Sequence, residues 1–465
     1  MPTVDRSRSR LVIAGLAAVA VALTVILAGT APPSTTAPGS HGPVGTGSSP
    51  SPNGGAGLGA GPIDVGAIPA VDPLAWTRVD WREVPKAFGN RRVPGRDRID
   101  GLIAGGPGLI GWGRVSQPGR NQFNDMGAIY QSANGIAWTV VPIDAGVGRH
   151  DTSEIQLVTA GPAGIVIFGD VCCTDEERPA LWRSADGQTS QRLPYPAALG
   201  QGDELTRIVG TANGYVLAGR PRGLATIWTS TDGASWKAVD GVAAGFGAGS
   251  ITDVARTPDD VLAVGYLDVA GTYDGALWTS ADGANWSRAT ADLLGGNQDT
   301  VIQKVVVWAG GWFLIGLEGP HAERVRCEQI GKIGQLASLD GRVDNPAPGL
   351  DLSCGWGSEV HWLTADGTAW QRVPLAGAQP GVVAKRGELI EFRLVAAGGP
   401  GLVVLGEGSD VGAASIFVSA DGVSWQPIAP DRQFPNGIVP YGFVIGGRAI
   451  AAVADGPSAW IGTVR

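Results

Sequence analysis

One short phrase recurs six times along the chain, and its spacing constrains the fold more than any other feature. The copies are Ile129–Trp138, Leu181–Gly187, Ile227–Trp236, Leu277–Trp286, His361–Trp370 and Ile416–Trp425. Each reads aromatic, Ser or Thr, then Asp-Gly or Asn-Gly, and in all but the second copy a Trp follows three residues after the Gly. The turn position is held by Asn134, Asp186, Asp232, Asp282, Asp366 and Asp421. Self-similarity with a period of roughly 50 residues belongs to propellers, solenoids and other arrays. Asp-Gly supplies the positive-φ residue of a tight turn, and the hydroxyl can return to the turn amides. The Trp then opens the next strand with a large flat surface for a neighbouring sheet.

A second motif alternates with the first. Leu102–Trp112, Leu157–Gly169, Ile208–Gly219, Val254–Gly265, Val305–Gly316, Leu394–Gly406 and Phe443–Val453 are each two short apolar runs around a turn. That is a hairpin signal, and no repeat carries a sustained helical period. The chain is expected to be all-β. Two hairpins per repeat make a four-stranded sheet, and seven such sheets arranged radially make a β-propeller of seven blades. The first hairpin occurs seven times and the second six, so the missing half is expected to be split between the chain ends. Trp81–Pro85 matches Trp138–Pro142 and Trp370–Pro374 as a fourth strand, and Ala459–Val464 reads as a third. The N-terminal strand is therefore expected to complete the last blade and close the ring, which also protects sheet edges.

The N-terminal part does not belong to that fold. Arg6, Arg8 and Arg10 lie in a basic start, residues 1–10, before an uncharged apolar run over 11–31. Such a run is long enough to cross a bilayer, and the arginines hold its start in the cytoplasm. It reads as a transmembrane anchor or a signal peptide, and both place the remainder outside the cytoplasm. Residues 32–73 are Pro, Ser, Thr and Gly-rich and read as a flexible linker, leaving 74–465 for the propeller. Net charge is −9, with no dense basic cluster in the folded part, which argues against nucleic acid as a partner. Of four cysteines, Cys327 and Cys354 bracket one long insertion and are expected to pair. Cys172 and Cys173 are neighbours that form a vicinal bridge or stay reduced. Their surroundings lack zinc-like ligand spacing, and neither a metal nor a cofactor is expected.

The repeated phrase resembles the Asp-box, or bacterial neuraminidase repeat, of the sialidase superfamily. Here the Gly follows the Asp directly, so the box is one residue shorter. The resemblance implies a propeller; catalytic chemistry would not reside in the box acids, which recur one per blade around a rim and cannot converge. Sialidases use arginines for a substrate carboxylate and a Tyr/Glu nucleophile pair. The matching residues would be Arg393, Tyr441, Glu388 and Glu391, although the Arg motif here lacks its Pro. Alignment of the first strands puts Gln156, Arg207, Asp253, Lys304 and Arg393 at one equivalent position, a polar collar able to take an anion or simply to form local ion pairs. Length variation concentrates in the 2–3 loops and blade-to-blade crossings, on one face. The reading that follows is an extracytoplasmic scaffold binding an envelope protein or glycan through its loop-rich face. The alternatives are a divergent sialidase-like glycoside hydrolase and a structural component of an envelope assembly.

Overall fold

A computed structural model describes residues 75–78, 98–105, 108–115, 126–132, 138–143, 152–172, 178–185, 187–257, 259–289, 298–308, 311–326, 357–365, 367, 369–373, 391–398, 401–407, 414–419, 421–427, 440–446, 449–454 and 458–463. Strand β1 is Ala75–Arg78. Sheet one is β2–β5 (Arg98–Gly105, Gly108–Val115, Met126–Ser132, Thr139–Pro142) and sheet two β6–β9 (Thr152–Gly161, Gly164–Cys172, Arg178–Ser184, Gln191–Leu193). Sheet three is β10–β13 (Glu204–Thr211, Gly214–Arg220, Thr226–Ser230, Lys237–Ala238) and sheet four β14–β17 (Gly249–Arg256, Val261–Val269, Thr272–Ser280, Ser287–Arg288). Sheet five is β18–β21 (Gln298–Trp308, Gly311–Pro320, Ser358–Thr364, Gln371–Val373) and sheet six β22–β25 (Glu391–Gly398, Gly401–Glu407, Ala414–Ser419, Gln426–Pro427). Sheet seven is β26–β28 (Pro440–Gly446, Ala449–Ala454, Ser458–Thr463) with β1 at its edge.

The described residues are mostly β and their sheets antiparallel, as the alternating hairpins predicted. First strands of successive sheets lie beside one another, and β2 lies beside β26 as well as β6. The edge strand of sheet seven is not the one expected. β1 pairs with β28 from Ala75 opposite Thr463 to Arg78 opposite Trp460, whereas Trp81–Pro85 lies outside the described residues. Trp76-Thr-Arg-Val79 repeats Trp138-Thr-Val-Val141, so an equally good fourth-strand pattern precedes the expected one. The leader, the linker, and Cys173, Cys327 and Cys354 also lie outside the described residues.

The core lies between sheets. One cluster packs Ile110, Trp112, Ile129 and Tyr130 of sheet one against Ile165, Ile167 and Trp182 of sheet two, and the pattern repeats through sheet six. Third-strand tryptophans Trp182, Trp228, Trp278 and Trp362 are buried in it. Trp138, Trp236, Trp286 and Trp425, which follow the recurrent turns, are buried too. Truncating any one to Ala falls in the class that costs about 3–5 kcal/mol.

Each first strand carries a β-bulge at the same place. The ladder skips Asp100, Gln156, Thr206, Thr252, Gln303, Arg393 and Tyr441 in sheets one to seven. The residue before the bulge faces a glycine of the second strand in six of the seven sheets, as Ile251 faces Gly265. A Cβ on Gly265 would sit 1.9 Å from the Ser250 carbonyl oxygen, so the close backbone approach at the bulge requires glycine.

Candidate functional site

One end of the sheets is occupied by the recurrent turns, and there the acids are structural. Asp282 Oδ1 accepts the N–H of Ala284 at 2.8 Å and of Asn285 at 2.7 Å. Ser280 Oγ accepts the Gly283 N–H at 2.9 Å, where Gly283 has φ +78°. Asp232 and Asp421 make the same bonds in their turns. Amides donating to the carboxylate pull Asp232 and Asp282 down to about 2 and lower Asp421 as well, the last against an opposing push from burial. Asn134, Asp186 and Asp366 lie outside the described residues.

The sequence alignment of the collar is corrected by the bulges. Gln156 and Arg393 occupy bulge positions, but Arg207, Asp253 and Lys304 each follow one. The bulge residues of sheets three and four stitch neighbours together: Thr206 Oγ1 donates to Ile251 O at 2.7 Å and Thr252 Oγ1 to Ile302 O at 2.6 Å. The exposed Gln156 donates through Nε2 to Asp170 Oδ2.

In sheets three to five the residues after the bulges form a charge chain, with Arg207 and Asp253 buried and Lys304 partly so. Arg207 Nε lies 3.2 Å from Asp253 Oδ1 without the alignment of a hydrogen bond. Asp253 Oδ2 accepts the Val305 N–H of sheet five at 3.1 Å. Burial raises the Asp253 carboxyl, opposed chiefly by Arg207. Burial also lowers the Lys304 ammonium to about 8, against the pull of Asp253 and Glu359. Glu359 in turn meets the fully buried His361, Nε2 to Oε1 at 2.7 Å. Positive and negative groups alternate across three sheets, an arrangement suited to fixing neighbours in register. Arg393, Glu391 and Tyr441 sit on β22 and β26, with Arg393 and Tyr441 at equivalent bulges of adjacent sheets. Their side chains and Glu388 lie outside the described part.

The opposite end holds two features the sequence did not announce. Among the described residues, the exposed large hydrophobics are Leu224 and Val242 (92 %) in connections and Val269 at the end of β15, all at this end. They stand on a laced backbone: Ala225 N–H donates to Gly247 O at 2.9 Å, and Asp268 N–H to Ala248 O at 2.8 Å. Arg222 and Ala270, the non-glycine residues of positive φ among the described residues, lie beside Leu224 and Val269. Beside them Asp299, fully buried, accepts the Tyr273 N–H at 3.0 Å and meets His321 Nδ1 at 3.1 Å and Arg324 Nε. His321 and Arg324 belong to a short helix, 321–326, that follows β19. The members of this cluster lie far apart in the chain and come together only where β15 and β16 of sheet four pack beside β18 of sheet five.

No group of His, Cys, Asp and Glu able to hold a metal occurs among the described residues. No helix among them is long and apolar enough to cross a membrane. No family model matches the chain, and no curated protein matches it. Solved structures do. A GH74 xyloglucanase from Xanthomonas campestris shares 15 % identity at a TM-score of 0.47, over 83 % of this chain and 53 % of its own. This chain thus spans about half of that enzyme's length. The β-propeller domain of the Trilobed protease from Pyrococcus furiosus gives 7 % and 0.44, over 80 % of this chain and 97 % of its own. A catalytically inactive virginiamycin B lyase from Staphylococcus aureus, solved with quinupristin, gives 10 % and 0.45, over 84 % and 100 %. At these scores the likenesses carry no argument about chemistry.

Proposed function

We propose that the chain is an extracytoplasmic seven-bladed β-propeller, tethered or secreted through residues 11–31, that binds an envelope protein or glycan through its loop-rich end. Seven four-stranded sheets, first strands in lateral contact throughout, and β1 pairing with β28 support the closed ring. The observation that carries the binding role is the placement of Leu224, Val242 and Val269. Large apolar side chains exposed on a rigid backbone, all at one end, are what an interaction surface presents. The carboxylates described at the other end are consumed by their own turns. Wild-type chain and a Leu224→Asp/Val242→Asp/Val269→Asp variant, compared on a glycan array and by crosslinking in envelope extract, test the role. The variant is expected to lose binding at least tenfold while keeping its melting temperature; undiminished binding would discard this surface.

A second reading, divergent sialidase-like hydrolysis, draws on one observation. Arg393 and Tyr441 hold equivalent bulge positions in adjacent sheets, with Glu391 two residues before Arg393. Bulges re-aim side chains and recur beside active sites. Turnover of a fluorogenic sialoside that disappears in both Arg393→Ala and Tyr441→Phe would favour this reading over the scaffold.

A further inference from the structure

The cluster around Asp299 has the composition of a receptor for a guanidinium group. Its floor is the fully buried Asp299 carboxylate, which meets Arg324 Nε. Its wall is the Tyr273 ring, whose centroid lies 3.8 Å from Arg324 Cζ. Its rim is the Gly271 carbonyl, which accepts from Arg324 Nη2. Groups other than Arg324 also hold the receptor: the Tyr273 N–H donates to the carboxylate at 3.0 Å, and Tyr266 stacks on Tyr273 at 4.4 Å. Carboxylate, carbonyl and aromatic face together match the planar fork, the delocalised charge and the weak hydration of a guanidinium, and match an ammonium poorly.

The occupant comes from a minimal element. Within helix 321–326 only Arg324 is buried; His321, Ala322, Glu323 and Arg326 are exposed and Val325 is partly so. His321 touches Asp299 from the solvent side, its own side chain 46 % exposed. The helix thus places one buried side chain, Arg324, in a site whose walls belong to β15, β16 and β18, with His321 at its solvent edge. A covalently attached arginine enjoys a high effective concentration there, so a second guanidinium competes only when the first withdraws.

We propose that this is a guanidinium-binding site of the loop-rich end, held shut in cis by Arg324 and open to an arginine side chain of a partner, or to free arginine, once Arg324 leaves. The inference stands independently of the scaffold reading, since it concerns the site and its ligand chemistry. The test is a thermal titration of the full chain and its Arg324→Ala variant with methylguanidinium, with methylammonium as the matched salt. Two further arms, L-arginine and an N-acetylated, C-amidated Gly-Arg-Gly peptide, separate free from peptide-borne ligand. Arg324→Ala is expected to show a saturable rise in melting temperature with methylguanidinium, on the order of tenfold weaker in the wild type. Methylammonium should do nothing, and adding Asp299→Asn should abolish the response. Equal responses in wild type and variant, or none in a folded variant, would overturn the proposal. If Arg324→Ala and Arg324→Gln both fail to fold, recovery of either by methylguanidinium supports the site. Failure of both even then would make Arg324 a fixed structural pin and end the proposal.

Discussion

Asp232 and Asp282 show how a residue that looks catalytic is consumed by local structure. Each carboxylate collects backbone N–H groups within its own turn, which favours the charged form in the folded state. The folded carboxyls lie at about 2 against an ordinary value of 3.8. The sign follows directly: this stability is fully present above about pH 4 and is lost as pH falls toward 2. The urea midpoint of the wild type is expected to fall steeply over that window. An Asp232→Asn/Asp282→Asn variant keeps an oxygen acceptor but cannot titrate there, and its midpoint should fall less. Parallel curves would detach these two acids from acid unfolding. The turn itself was legible in Ser280-Ala-Asp-Gly283, since hydroxyl, carboxylate and positive φ all act within a few residues. The Asp299 cluster was not legible, because Tyr273 of sheet four meets Asp299 and Arg324 of the next repeat only through the packing of two sheets.

The bulge is the feature of the sheets that pattern reading misplaced. Anchoring the alignment on the first apolar residue put Arg207, Asp253 and Lys304 level with Gln156 and Arg393. Counting back from the second strand gives the observed register: the bulge precedes it by eight residues in sheets such as Gln156/Gly164 and Arg393/Gly401, and by nine in Thr252/Val261. Sheets three and five keep the spacing of eight, Thr206/Gly214 and Gln303/Gly311, so a count from their second strands places the bulge one residue before Arg207 and Lys304. The longer hairpin turn of sheet four makes a count of eight land on Asp253. In five sheets the glycine at the bulge was visible as the end of the hairpin motif, but its cause, a carbonyl pressed against the missing Cβ, is a property of two strands together. Gly265→Ala is expected to cost about 1–3 kcal/mol or more, because the Ser250 carbonyl cannot give way without breaking the ladder. Gly271→Ala meets nothing within 4 Å and bears only its φ of +89°, about 1 kcal/mol. Denaturant midpoints of the two variants should separate in that order; the reverse order would remove close approach as the reason for glycine.

For the molecule as a whole, the count of six turns against seven hairpins pointed to an end-to-end junction, and β1 lies against β28. The strand's exact place was harder to read, since Trp76-Thr-Arg-Val and Trp81-Arg-Glu-Val carry nearly the same pattern five residues apart. Removing residues 75–85 uncovers the β28 edge. The melting temperature is expected to drop by roughly 5–10 °C, and a synthetic 75–85 peptide added in trans should restore part of the loss. An unchanged melting temperature would leave the junction without an energetic role.

The same junction decides where mechanical load enters. A pull on the chain from its N-terminal side reaches β1 before any other described strand, and the ladder resisting it is the pairing of Ala75–Arg78 with β28. Because the two strands are antiparallel, the force meets their hydrogen bonds at one end first, at Ala75 opposite Thr463, and opens them in sequence. Under tension the chain would yield at this seam while its other sheets stay intact.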